Sequence, residues 1–518
     1  MNKIRILWTD DEIDILRPHI IFLEEKGYEI LTASNAEDAV SIVEEEELSL
    51  IFLDENMPGK TGLEVLPEIK QIVPHVPIVM ITKSEEENIM EEAIGAQIDD
   101  YLIKPVNPNQ ILLTIKKLID HKKLISDKTL AGYQSGFGEI SGMINSARDH
   151  NDWVQIYKTL VFWDMELEKS ETAGMDEVLR MQKMDANQGF SKFVKRNYEN
   201  WVQTEEDSRP VLSPDLFKKW VFPLLEKGEK VVFMLIDNFR IDQWKMVLPL
   251  FKDHFRIENA ETVFSILPTA TQYARNAIFS GIMPLDIQRK YPEYWFYDEE
   301  EGGKNQFEHE LFEKQLKKEG KNFTFNYEKV NNADASKKLT ENISNYLNKD
   351  LTILVYNFVD MLSHARTESK MVKELAGDES AYRSITYSWF RHSAIMDLLK
   401  ILAQKKVKLI LTTDHGTIRV NHPVKVIGDR FTSTNLRYKT GKNLDYNPKD
   451  VFGVTSPEKI GLPKSNISSS FIFATNDDYL VYPKNYNYFV RYYKNTFQHG
   501  GISMQEMMTP FIIMSSRS

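Results

Sequence analysis

Two α/β halves joined by a helical bundle follow from three features of the chain. Short apolar runs alternate with amphipathic stretches over the first 120 residues. The alternation then lapses into helical periodicity alone, and beyond it β-rich runs return, each ending in an acid. With 518 residues, 42% of them hydrophobic, the chain can fill more than one core, and ordinary domain sizes give about three.

The runs IRILW, YEILTA, LSLIFL, PIVMIT and DYLIKP read as buried strands, with helices between and after them near 12–26, 35–46, 61–73, 84–95 and 108–123. Five β–α units specify a doubly wound (βα)5 parallel sheet, whose working groups stand beyond the carboxyl ends of the strands. Asp10 and Asp11 follow the first strand and Asp54 the third, while Thr82 ends the fourth and Lys104 the fifth. Crowded carboxylates repel unless a cation joins them, and a hydroxyl and an ammonium across the same mouth can take the oxygens of a phosphoryl group. Each acid alone also reads as a solvated strand-end residue; together they point to phosphorylation of an aspartate. On the DD pair, the DENMPG turn, the threonine and the lysine-proline pair, residues 1–123 resemble a response-regulator receiver domain. That resemblance implies Asp54 as phospho-acceptor, and Mg²⁺ held by Asp10, Asp11, Asp54 and the backbone of Asn56. It also implies phosphate contacts from Thr82 and Lys104, and Tyr101 as the aromatic that turns inward on activation, a residue that otherwise reads as a strand-edge side chain. A sensor histidine kinase would be the donor, and phosphorylation would create a homodimer face.

Residues 124–208 show two helical patterns, 151–167 and 175–204, behind a GYQSGFGEISG stretch that reads as a flexible lead-in. A small bundle that transmits movement is expected. Its KFVKR run sits among acids and reads as a solvated helix face, with nucleic-acid contact as the alternative.

From 209 to 518 the runs VVFMLID, TILVYNFVD and KLILTTDHG are strands that end in acids. Parallel geometry would gather Asp237, Asp360 and Asp414-His415 at one edge, with His364 one helical turn beyond Asp360. Carboxylates and imidazoles in that number suit a pair of divalent cations, which clamp a phosphoryl group and activate an attacking oxygen. Thr271 opens a helix in PTATQYAR, where free N–H groups favour an anion; it reads as the nucleophile, with an N-cap role and Thr269 as alternatives. The order Asp, Thr, Asp-x3-His, Asp-His, His499 resembles the alkaline phosphatase superfamily, and DNFRIDQW with PTATQYAR is similar to its PglZ branch. The resemblance implies two Zn²⁺, one held by Asp237, Thr271, Asp414 and His415, the other by Asp360, His364 and His499. Arg240 and Arg275 are candidates for a phosphate-binding arginine, or form ion pairs at the surface or with the metal-binding residues. The three-part order as a whole resembles response regulators of the type IX secretion system, which implies a phosphodiesterase acting on cyclic dinucleotides or short oligonucleotides. In the run YLVYPKNYNYFVRYYKN, tyrosines interleaved with cations either stack on bases or cover an edge strand.

Composition narrows the rest. No cysteine is present, so disulfides and thiolate zinc sites are excluded. A net charge of −12 and the lack of a visible helix-turn-helix disfavour promoter binding. No apolar stretch reaches the roughly 20 residues of a membrane span, and the N-terminus shows no cleavage site, so a cytoplasmic protein without membrane insertion is expected. The rival to an enzyme is a metal-stabilised platform that docks a sigma factor or a secretion component.

Overall fold

The computed structural model describes residues 4–74, 76–83, 98–169, 175–204, 208–300, 302–362, 377–429 and 432–517. Two compact units divide the chain near Gln134. The first holds β1 (Arg5–Thr9), β2 (Glu29–Ala33), β3 (Leu50–Asp54), β4 (Ile78–Thr82) and β5 (Asp100–Ile103). All neighbours pair in parallel in the order β2-β1-β3-β4-β5. β3 and β4 are buried throughout, as strands covered by helices on both faces must be. The reversal of strand order at β1 and β3 brings Asp10 and Asp54 together at one crevice.

The helices of this unit depart from the sequence reading at two ends. The expected 12–26 helix is Arg17–Glu25, preceded by turns, because Pro18 favours the first helical turn. The expected 108–123 helix is Pro108–Ile115 and passes through a π-helical turn, Lys116–Asp120, into a long helix, His121–Ser146. The helix expected over 84–95 falls outside the described residues.

That long helix corrects the flexible lead-in: residues 132–142 are helical. Glycine disfavours helix by about 1 kcal/mol per residue, but tertiary packing overrides it. Gly136 backs onto the Trp163 ring, where a Cβ would stand 3.5 Å away, Ile140 is buried, and Gln182 Nε2 donates to Phe137 O at 3.0 Å. The bundle therefore has three helices, the other two being His150–Lys169 and Met175–Gln203.

The larger sheet contains β6 (Val231–Ile236), β7 (Phe255–Phe264), β8 (Phe325–Val330), β9 (Leu351–Tyr356), β10 (Lys408–Thr412) and the C-terminal strand Met508–Ser516. Its order is β7, C-terminal strand, β10, β6, β9, β8, and only the C-terminal strand runs against its neighbours. β6 and β9 are buried along their whole length. The three acid-terminated runs are thus the adjacent central strands β10, β6 and β9, and their carboxyl ends lie side by side. Among the described residues, no helix is long and apolar enough to cross a membrane.

Candidate active site

The turn after β6 delivers Asp237 and Asn238, the latter in the left-handed region at φ 60°, which asparagine tolerates. The segment after β10 delivers Asp414 and His415, and the one after β9 delivers Asp360. Ligand atoms of Asp237, Asp414 and His415 lie within 4.8 Å of one another. Thr271 is the first residue of the helix Thr271–Ser280; Ala270 occupies the cap position, so the threonine hydroxyl is not spent on capping. Instead it lies 3.1 Å from His415 Nε2 and 3.4 Å from Asp237 Oδ1. Intrahelical bonding begins with the N–H groups of Tyr273 and Ala274 on Ala270 O, which leaves those of Thr271 and Gln272 for an anion.

His499 stacks on His415, ring centroids 4.2 Å apart, and its Nε2 is 3.5 Å from Asp360 Oδ1. Asn238 ties the two groups together: its side chain donates to Asp360 at 3.3 Å and its backbone N–H to Asp414 at 3.4 Å. His364 lies outside the described residues. Both described imidazoles point Nδ1 at a backbone carbonyl, His415 at Gly416 O (3.1 Å) and His499 at Thr269 O (3.2 Å). Carbonyls only accept, so each Nδ1 carries the proton and each Nε2 presents a lone pair to the centre, the tautomer a cation requires. The donor set of carboxylates, imidazoles and a hydroxyl fits a hard divalent cation. Thr269, the alternative nucleophile, is fully buried; its hydroxyl donates to Gly501 O at 2.9 Å and accepts from Gly500 N–H at 3.0 Å, which anchors the His499 segment.

Beneath these residues Arg275, fully buried, pairs with Asp237, with Asp414 at 3.0 Å and with Glu308 at 3.6 Å. Burial pushes the Asp237 carboxyl well above its ordinary range against the pull of Arg275, with Asp414 and Asp360 adding to the rise. Burial also acts upward on Asp414, but Arg275 and His415 outweigh it and hold that carboxyl below its usual value. Arg240 is equally buried, bound to Asp242 at 2.6 Å and Glu379 at 2.5 Å. Both arginines are therefore buried ion pairs, and the phosphate-binding alternative is corrected: their guanidinium donors are committed to acids that would otherwise lie uncompensated.

Sequence reasoning missed the support given by Asn238 and Glu308. An asparagine directly after a strand-end aspartate was the one local signal for the former. It also missed the neighbours of His422. The strand His422–Lys425 pairs in parallel with Asp478–Val481, which sets His422 Nδ1 2.8 Å from Asp477 Oδ1. The tyrosine-rich run is not a continuous edge strand. Only Asp478–Val481 is strand and Tyr486–Tyr493 is a helix. Tyr479 is buried, and Tyr486 and Tyr493 pack on the same small core; Tyr488 and Tyr492 stack on each other, and Tyr488 is 62% exposed.

In the first unit, ligand atoms of Asp10, Asp11 and Asp54 lie within 4.8 Å of one another, and Lys104 Nζ bridges Asp10 and Asp54 at 2.9 Å each. Burial, opposed by Lys104 and helped by Asp10, raises the Asp54 carboxyl to about 6. The cluster fits a divalent cation, which would relieve that repulsion. The Thr82 hydroxyl donates to Glu55, Asn56 is exposed on the adjoining turn, and Tyr101 is exposed.

Residues 216–514 match the BREX system PglZ alkaline phosphatase-like domain, 123–202 the PorX response regulator linker domain, and 6–116 the response regulator receiver domain. Curated relatives include the transcriptional regulatory protein ResD of Bacillus subtilis, 36% identical over 118 residues, 23% of this chain and 49% of that protein. The alginate biosynthesis regulator AlgB of Pseudomonas syringae is 34% identical over 123 residues, 24% of this chain and 28% of AlgB. The phosphate regulon regulator PhoB of Pseudomonas aeruginosa is 26% identical over 219 residues, 38% of this chain and 93% of PhoB. This chain therefore spans less than half the length of AlgB and ResD. A solved CheY-like receiver domain from Methanospirillum hungatei is 31% identical, covering 23% of this chain and 96% of its own, with a TM-score of 0.23. The chain belongs to the PglZ alkaline phosphatase-like family, in a PorX-like arrangement that sets a response-regulator receiver domain and a PorX-type linker ahead of that domain.

Proposed function

We propose that the protein is a two-component response regulator whose effector is a zinc-dependent phosphodiesterase, controlled by phosphorylation of Asp54 and the dimerisation that follows. The observation that carries this reading is the Thr271 hydroxyl, set at a helix N-terminus with His415 Nε2 at 3.1 Å and Asp237 Oδ1 at 3.4 Å. With two acceptors at hand, the proton has a route out as Thr271 Oγ forms its bond to phosphorus and the ester oxygen departs in line. Water then hydrolyses the phospho-threonine, and the free N–H groups of Thr271 and Gln272 hold a phosphate oxygen through both displacements. Zn²⁺ ions on Asp237, Thr271, Asp414 and His415, and on Asp360, His364 and His499, would supply Lewis acidity to the hydroxyl and balance charge on the phosphate. Asn238 keeps Asp360 in register with Asp414. In the receiver, Mg²⁺ on Asp10, Asp11, Asp54 and the Asn56 carbonyl would join the acids while a histidine kinase phosphorylates Asp54.

Short linear or cyclic oligonucleotides are the proposed substrates, and type IX secretion the proposed setting, the latter on the PorX-like arrangement. Thr271→Val should abolish hydrolysis of bis-p-nitrophenyl phosphate while bound zinc measured by mass spectrometry stays at the parent's level, and Thr271→Ser should retain activity. Full turnover by the valine variant would remove the threonine from the chemistry.

A further inference from the structure

The three-helix linker bundle carries a half-open cavity of about 890 Å³ that the chemistry above leaves unused. Small-molecule sites fall in this size range and combine apolar walls with a few convergent polar groups. Phe137 is 40% exposed and Phe193 half-buried, so both offer ring surface to the space. Trp153 also lines it: the residue is 3% exposed, and its indole N–H meets no acceptor among the described residues.

The polar groups carry one sign. Arg148, Lys192 and Arg196 line the cavity and are exposed, and among the described residues none of them forms an ion pair. Lys192 and Arg196 stand one helical turn apart and so project from one face. Asp185 is the sole acid among the described lining residues, in a chain whose net charge is −12. An anion is drawn to that rim, and a planar ring to the walls.

We propose that this cavity binds a nucleotide, its base against Phe137 and Phe193 and its phosphates on Arg148, Lys192 and Arg196. This gives a use to the basic KFVKR run, which a solvated helix face does not. The helix that supplies Lys192 and Arg196 turns its other face to the effector. There Asn187 accepts from Met504 N–H at 2.8 Å, and the Tyr198 hydroxyl accepts from Leu267 N–H at 2.6 Å. Those contacts hold the segments that follow His499 and precede Thr271, so an occupant of the cavity sits one helix away from the site. Binding itself does not depend on what chemistry that site performs.

The test is fluorescence anisotropy of mant-ADP with the full-length protein in EDTA, which keeps divalent cations from retaining the probe at the effector acids. Saturable binding is expected, displaced by unlabelled ADP and far less by inorganic pyrophosphate. Lys192→Glu with Arg196→Glu should weaken it by at least roughly tenfold, since hydrogen bonds to charged groups are being replaced by repulsion. Absence of saturation, or an affinity unchanged in the charge-reversed variant, overturns the proposal. Pyrophosphate competing as well as ADP also overturns it, by reducing the cavity to an anion patch.

Discussion

Arg275→Met tests how the effector site holds its acids together. The methionine keeps most of the apolar stem but removes the only guanidinium that, among the described residues, pairs with Asp237 and Asp414, both at most 3% exposed. Glu308 keeps Lys329 at 2.9 Å and is not orphaned. Asp237, its carboxyl already pushed upward by burial, can remain protonated, so one uncompensated charge, that of Asp414, is the main consequence. Removing one partner of a buried pair costs about 3–5 kcal/mol. For a unit of this size that lowers the thermal midpoint by on the order of 5 °C. The assay is thermal unfolding in EDTA, parent against variant, at pH 7.5 and pH 5. In the parent, Asp414 is held below its unfolded value, so its stability contribution is present above that value and lost as pH falls through the lower folded one. In the variant the same carboxyl is raised, so its penalty appears only as pH climbs above the unfolded value. The deficit should therefore be larger at pH 7.5 and shrink toward pH 5. A variant that melts with the parent, or a deficit that grows on acidification, refutes the account of Arg275 as the internal counterion.

Three further outcomes are expected. Gly62 opens the helix Gly62–Ile72 so close to β3 that a Cβ would stand 2.2 Å from the Asp54 carbonyl oxygen. Gly62→Ala should cost about 1–3 kcal/mol through forced backbone displacement and slow acetyl-phosphate labelling of Asp54, read by phosphate-affinity electrophoresis. Lys439 is buried with its ammonium 4.4 Å from the centre of the Tyr482 ring, and burial lowers it to about 7. A lysine depressed in the folded state is most unfavourable below that value and is relieved as pH rises toward its unfolded one, so Lys439→Met should raise the midpoint at pH 6 with the gain fading by pH 10. Acetyl phosphate should shift the parent, but not Asp54→Asn, to a larger species in light scattering; equal sizes would remove dimerisation from the proposal.

Much of the site could be read locally. A buried parallel strand is a run of β-branched and aliphatic residues, and an acid at its end breaks that run, so Asp54, Asp237 and Asp414 announced themselves by position alone. The β–α alternation likewise implied the receiver sheet, because each unit's periodicity is contained within its own stretch of chain. Local pattern does not say which strand lies beside which. Only the folded sheet makes β10, β6 and β9 neighbours and so turns three separate strand ends into one cluster. Nor does it reveal where a long side chain finishes: Arg275 stands in an ordinary helical sequence, and its role comes from acids up to 139 positions away. The glycines of residues 132–142 disfavour helix when read alone and become helical because Gly136 packs against Trp163 and Gln182 bonds Phe137 and Ser141. His422 gains Asp477 only through strand pairing. Propensity and periodicity act over a few residues and were visible from the start; partner choice, burial of charge and the cavity in the linker bundle arise from contacts between distant segments, which exist only once the chain has packed.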